Sequence, residues 1–460
     1  MKANWLPLSA AVALALSSVA ASAVDFHGYL RAGAQANTNG GNVYCLGTGE
    51  KGHKVGRLGD ECDTYSEFAL TQEVYNKANN KWTVNTLFAF GTYEASDDYQ
   101  DAPVDLQGDS WQGTGGAQNR GNTWSNPWGG QRVSVRELWT GYQTDAGYQI
   151  WAGKRFYQRK DIHLLDLYYL NNSGYGAGIE GIDVGMGNLA FAVTKWANDG
   201  TSDYNRNVYK LDARWNGIPV GPLGNLDASV IYALPFISEQ QEANAAGNAR
   251  ANRANSGALV TLDLNTAVNS DSVNLMNHFV VQYGTNGFGY IGQNGNHAGD
   301  NYTPDLDDTG VRVIDWGTLD AGNFGLGYSL IWAHVDNGDD HPAADGVNFT
   351  TPRSGWTYSI VLRPEYKWTE FTRTTLELGY SSQKTNGWVN YNNVPYEDPD
   401  VYKVTLAQQF TPGKGFWTRP AIRFYVSYIG GEEFAAVYKK WNKDGDEYQI
   451  TVGTQVEAWW

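Results

Sequence analysis

The sequence predicts an all-β protein: a transmembrane antiparallel β-barrel, about eighteen strands by its length, preceded by a cleaved signal peptide. Three observations point there. The first residues have the layout of an export signal. No run of eighteen apolar residues follows them, so no transmembrane helix is available. The final stretch, 448–460, alternates apolar with polar residues and ends on an aromatic.

The amino terminus comes first. Lys2 gives a positive start, an apolar stretch runs from about Leu6 to Ala20, and Ala21-Ser22-Ala23 supplies the small residues of a cleavage site. Residues 1–23 are therefore read as the signal peptide and 24–460 as one barrel domain opening on Val24. Only 18% of the chain is charged, while 18 Trp and 29 Tyr make it rich in amphipathic rings. That balance favours a single large barrel over two or three soluble domains. The net charge of −16 argues against a nucleic-acid partner, which needs a basic face.

Segments of eight to twelve residues then alternate, as at 24–33, 65–75, 81–90, 356–363, 402–410, 419–428 and 448–460, with Gly/Asn/Asp-rich stretches between them. At about 24 residues per strand with its turn or loop, roughly eighteen strands fit; counting alone leaves sixteen open. The Ala/Asn-rich tract 239–255 is read as a polar external loop. No linker and no repeat divides the chain.

Cys45 and Cys62 are the two cysteines. In an oxidising periplasm they pair and close a loop, a gain of about 3 kcal/mol. Two free thiols or half a metal site are the other readings, with no CxxC spacing and no His pair to support them.

Parity assigns faces, because successive side chains on a strand point to opposite sides. Asp25, His27, Tyr29 and Arg31 share the lumen face of the first strand, and Tyr65, Glu67 and Glu73 that of the second. Near the end, Trp417, Arg419 and Arg423 face inward, as do Gln449, Thr451, Gly453, Gln455, Glu457 and Trp459. Tyr29, Tyr65, Trp417 and Trp459 thus recur among polar lumen residues. An aromatic ring stacks on the C–H face of a pyranose while charged neighbours exchange hydrogen bonds with its hydroxyls. The same rings also suit the filling of a taper or an interfacial girdle, and the pattern does not separate the two uses.

Charges of both signs alternate with rings from Arg155 to Tyr169, before the Gly-rich stretch 174–181. A loop folded into the lumen would use such residues to narrow the pore; a surface strand with solvated ion pairs is the plain alternative. Asp161 and Asp166 could be taken as the acid pair of a glycosidase, but nothing fixes their separation, and the chain is read as no enzyme. Matches to GxGxxG at 176–181 and 287–292 precede no helical pattern. The acidic turns 336–340 and 442–446 resemble fragments of calcium loops without the twelfth-position Glu, so a loop calcium is the single cofactor left open.

Several stretches resemble the maltoporin family of carbohydrate-specific porins: VDFHGYLRAG, RLGDECDTY, WAGKRFYQRKDIHLLDLYYLNNSGYGAGIE, HFVVQY, RPEYKWT, TLAQQF, WTRPAIR and the terminal Trp-Trp. They occur in order from Val24 to Trp460. The resemblance implies an outer-membrane barrel of eighteen strands, a homotrimer in the lipid bilayer, and oligosaccharide substrates. It implies an aromatic track of Tyr29, Tyr65, Trp417 and Trp459, with hydrogen-bonding residues Arg31, Arg57, Glu67, Arg136, Arg159, Asp161 and Asp166 beside it. Tyr168 then stands at the constriction, and Cys45–Cys62 matches the disulfide of the first external loop. The chain departs from the family in carrying Met276 where a Phe belongs to the track. Leu170 and Asn171 replace an aromatic and an acid. Trp111, Trp124 and Trp128 compete for the loop position that lines a neighbouring pore entrance. Tyr168 is kept where the sucrose-specific branch replaces it, which favours a maltodextrin-like substrate. A general diffusion porin, and less so a surface carbohydrate-active enzyme, are the competing readings.

Overall fold

The computed structural model describes residues 24–40, 43–46, 54–61, 63–91, 104–105, 131–197, 207–236, 254–270, 272–292, 298–299, 302, 304, 306–336, 354–385, 400–435 and 446–460. The expected signal peptide, most of the 239–255 tract, Cys62, and Trp111, Trp124 and Trp128 lie outside them, as do most of the acidic turns 336–340 and 442–446. Cys45 is buried and disulfide-bonded.

Eighteen antiparallel strands close into a barrel. Each strand of the wall pairs with its neighbour in sequence, and the last, Gln449–Trp459, pairs with the first, Asp25–Asn37, from Tyr29↔Trp459 to Asn37↔Thr451. Closure leaves no free edge, the condition for spanning a bilayer with strands. Among the described residues no helix is long and apolar enough to cross a membrane.

The wall is inverted relative to a soluble protein. On Asp400–Phe410, Lys403, Thr405 and Gln409 are buried inside while Tyr402, Val404 and Leu406 are exposed outside. On Gln449–Trp459, Gln449, Thr451, Gln455 and Glu457 are buried and Val452 is 45% exposed. An apolar band turned outward is what lipid requires. Near the long-loop end the band carries a row of rings: Tyr358–Tyr380 at 5.8 Å, Tyr402–Tyr428 at 6.0 Å and Tyr428–Tyr448 at 5.5 Å. Such rings suit the membrane–water interface.

Connections are short at one end and long at the other. Lys77 and Asn80 are joined by Ala78 and Asn79, both at positive φ (51° and 64°), the two-residue turn whose twist matches a hairpin. At the opposite end three segments fold inward. Residues 54–61 seat on the wall, where Gly379 admits the Val55 carbonyl to a place a Cβ would occupy. Lys403 donates to the Gly56 and Leu58 carbonyls, and Glu377 accepts from the Leu58 N–H at 3.0 Å. Residues 156–173 and, among the described residues, 286–292 with 298–299 are the other two.

Candidate functional site in the lumen

The sequence of 156–173 explains why it turns inward. It contains a small hairpin, Lys160–Ile162 paired with Leu167–Leu170. Ile162, Leu164, Leu165, Leu167, Tyr169 and Leu170 are at most 2% exposed and pack on Val208, Ile231, Leu259, Val280, Ile314 and Ile331 of the inner wall. Burial of each such side chain contributes about 1.5–3 kcal/mol. Polar ties fix the seat. The Asn171 N–H donates to Ala298 O at 2.7 Å, the Ala298 N–H to Tyr168 O at 3.0 Å, and Gln282 Nε2 to Tyr169 O at 2.6 Å. The other face of the hairpin turns Lys160, Asp161, His163, Asp166 and Tyr168 toward the lumen, all half-buried.

A charged network surrounds the tip of this loop. Arg31 grips Asp63 with two hydrogen bonds of 2.9 and 2.7 Å and reaches Asp166 at 3.2 Å. Arg57 is paired with Glu61 and donates to Tyr29 Oη at 2.8 Å. Glu457 is the hub. Its Oε1 accepts from Tyr29 Oη at 3.2 Å and His163 Nε2 at 2.9 Å; its Oε2 accepts from Arg419 and Arg423, both at 2.8 Å. Arg159 lies between two rings, 4.0 Å from the Phe156 centroid and 4.2 Å from that of Tyr168. Arg136 is exposed, with its guanidinium carbon 5.4 Å from the Phe156 ring centroid. Burial raises the Asp161 carboxyl above its ordinary range against the pull of His163 and Arg159. Burial likewise pushes the Tyr168 phenol up to about 12.

The rings form a sequence of neighbours. Tyr65 and Tyr29 are 6.2 Å apart, Tyr29 is the backbone partner of Trp459, and Trp459 is 6.5 Å from Trp417. Arg31 lies 5.4 Å over Tyr65, and Arg419 4.3 Å over Trp459. Tyr65 Oη donates to Glu67 at 2.5 Å. Trp417 Nε1 donates to Thr318 Oγ1 at 3.3 Å, and Thr318 is the backbone partner of Met276. The structure thus brings Tyr65, Tyr29, Trp459, Trp417 and Met276 into one succession, with Arg31, Arg57 and Asp166 beside its centre and Arg159 and Tyr168 on the loop.

Two points differ from the sequence reading. Trp417 and Arg419 are not on a strand, because the strand begins at Ala421 and both residues sit in the turn before it. They reach the lumen through Thr318 and Glu457 rather than by parity. His163 and Glu457 had no assigned role. Parity places Glu457 inside, yet only the fold gathers three arginines around it.

His163 sits edge-on to both Trp417 and Trp459, at 5.6 and 5.5 Å. Nε2–H donates to Glu457 and Nδ1 accepts from Arg57 at 3.1 Å, the bonds of a neutral ring. Burial first, then Arg57, hold its pKa below the ordinary 6.5, with Glu457 opposing. A folded value below the unfolded one means the stabilisation is complete above 6.5 and declines as pH falls below it. Acidification from pH 7 to 5 is therefore expected to raise open-channel current noise, and His163→Gln to flatten that dependence. An unchanged pH profile in the variant would reject this role. Among the described residues no group of three His, Cys, Asp or Glu is placed to hold a metal.

Residues 24–460 match the LamB porin family. The chain is 33% identical to the maltoporin of Hahella chejuensis (strain KCTC 2396), over 99% of this chain and 97% of that one. Among solved structures it is similar to OpdL of Pseudomonas aeruginosa (10% identity, 95% of this chain and 98% of that one, TM-score 0.47). It is also similar to OccAB2 of Acinetobacter baumannii (10% identity, the same coverage, TM-score 0.46). With a closed eighteen-stranded wall, an inward-folded loop and a family match over the whole barrel, the chain belongs to the LamB porin family and is an outer-membrane sugar porin.

Proposed function

We propose that this porin passes maltodextrin-like oligosaccharides by facilitated diffusion, without energy coupling, covalent chemistry or a cofactor, and that it works as a homotrimer. The sugar slides over Tyr65, Tyr29, Trp459, Trp417 and Met276 while Arg31, Arg57, Glu67, Arg136, Arg159, Asp161 and Asp166 exchange hydrogen bonds with its hydroxyls. Tyr168 narrows the passage from the loop side. The observation that carries the reading is the succession of rings, Tyr65 and Tyr29 6.2 Å apart and Trp459 and Trp417 6.5 Å apart, with guanidiniums over Tyr65 and Trp459. Rings so spaced allow a pyranose chain to move with contact handed from one to the next.

The test is single-channel current in a planar bilayer during titration with maltohexaose, sucrose and glucose. Saturable block, strongest for the longest glucan, is the expected result; conductance without sugar block would mean a general diffusion porin. Met276 marks a weak point in the track, since a thioether adapts but offers no flat face. Met276→Phe is expected to lengthen maltohexaose residence about two- to tenfold. An unchanged residence time would remove Met276 from the track.

A further inference from the structure

One lumen-facing position from Met276 toward the seated hairpin, two rings lie flat on each other. His278 and Trp316 are backbone partners on adjacent strands, Val273–Thr285 and Thr309–Ala321, with ring centroids 4.6 Å apart and planes within 8°. Both face inward: Val280, next on the same face of its strand, is covered by the hairpin. We propose that His278, backed by Trp316, is a further saccharide subsite beside the inner part of the track, between Met276 and the seated hairpin, taking a neutral hexopyranose unit of the sliding chain. This rests on the sugar-sliding reading and extends it to residues which that reading leaves out.

The placement is continuous with the track. Met276 pairs with Thr318, which holds Trp417, and His278 pairs with Trp316 two residues further along the same two strands, about 7 Å away. Met276 and Trp417 also pack against the buried cluster that contains Trp316. The ring surface that Met276 does not supply is therefore present one inward-facing position on.

The imidazole is held on two sides. Trp316 supports one face, with Tyr169 in turn edge-on to Trp316 at 6.4 Å. Asp263 accepts from Nδ1 at 3.0 Å, and the other oxygen of Asp263 takes Lys160 Nζ at 2.7 Å and Tyr169 Oη at 2.9 Å. Lys160 also reaches Asp227 at 2.6 Å. Among the described residues Nε2 of His278 has no protein partner, and the side chain is 16% exposed. A ring fixed this way loses little freedom on contact, offers C–H and π surface to a sugar face, and leaves one nitrogen for a hydroxyl. Lys160 and Asp227, each 21% exposed, add a donor and an acceptor at the rim. One lysine against two aspartates gives the pocket a negative balance. That disfavours anionic ligands and suits an uncharged polyol.

The deciding experiment compares maltohexaose and maltose residence times in single channels of the wild type, His278→Ala, His278→Gln and His278→Phe. His278→Ala is expected to shorten maltohexaose residence about three- to tenfold, and maltose residence less, because the longer chain engages more of the track and His278 at once. His278→Phe, which keeps a flat ring on Trp316, is expected to recover part of the loss. If His278→Ala forms no channels, His278→Gln, which keeps a donor for Asp263, gives the same comparison. Wild-type maltohexaose residence in His278→Gln would overturn the subsite while leaving the track intact. A wild-type pore that no sugar blocks would instead overturn the track on which the subsite depends.

Discussion

Trp459→Ala and Trp417→Ala are each expected to weaken maltohexaose block by about ten- to a hundredfold while leaving an open pore in sugar-free buffer. The magnitude follows from removing a stacking surface worth about 1.5–3 kcal/mol on burial, with 1.4 kcal/mol to each factor of ten. Trp459 should show the larger loss. It neighbours Trp417 at 6.5 Å, meets His163 edge-on at 5.5 Å and supports the Arg419 guanidinium at 4.3 Å. Deleting its indole thus removes a platform and uncovers one face of the Arg419 guanidinium. Trp417 is anchored differently, through Nε1 to Thr318 and against Phe416 at 5.1 Å, so its loss leaves the charged hub in place. The two effects should combine less than additively, because the rings are neighbours. The readout is the sugar concentration for half-block together with the off-rate from current noise. Full wild-type block in both variants would eliminate stacking as the mechanism and return these rings to the role of lumen filling.

The barrel was legible in the sequence because lipid and lumen impose a two-residue period that nothing else in the chain contradicts. Gln455 and Glu457 buried against Val452 exposed is the alternation of 448–460 seen in three dimensions. The strand positions of Tyr29, Tyr65 and Trp459 were legible for the same reason. Trp417 shows the limit, since parity has no meaning in the turn before Ala421, and its position depends on a contact with Thr318 far away in sequence. The inward seat of 156–173 was legible in part. Leucines alternating with charges announce a two-faced segment, yet nothing local says that Tyr168 and Asn171 pair with Ala298, or that Val55 settles on Gly379. Contacts of that kind depend on the shapes of two distant segments at once. The stacked His278 and Trp316 were invisible for a related reason: register across two strands, and no motif, sets one ring on the other.

Glu457→Gln is the second large effect, and it separates the electrostatic frame from the stacking surface. The carboxylate is 2% exposed and receives Arg419, Arg423, His163 and Tyr29, with Arg57 at 3.5 Å. Removing its charge leaves three guanidiniums facing one another in an enclosed site. Whichever way the amide turns, its nitrogen then meets donors, Arg419 and Arg423 on one side or His163 and Tyr29 on the other. Breaking a buried ionic cluster by deleting one partner typically costs about 3–5 kcal/mol. The thermal or denaturant midpoint of the folded barrel is expected to fall accordingly. The pore itself supplies a readout that a merely weakened fold would not move. With the carboxylate gone and Arg57, Arg419 and Arg423 still in place, the reversal potential in a salt gradient should shift toward anion selectivity. Because Glu457 also holds His163 between the two tryptophans, maltohexaose on- and off-rates should both change in this variant. In Trp459→Ala the loss should fall mainly on the off-rate. An unaltered reversal potential together with an unaltered midpoint would mean that the three arginines are balanced by Glu61, Asp63 and Asp166 instead, and that Glu457 is not their organising charge.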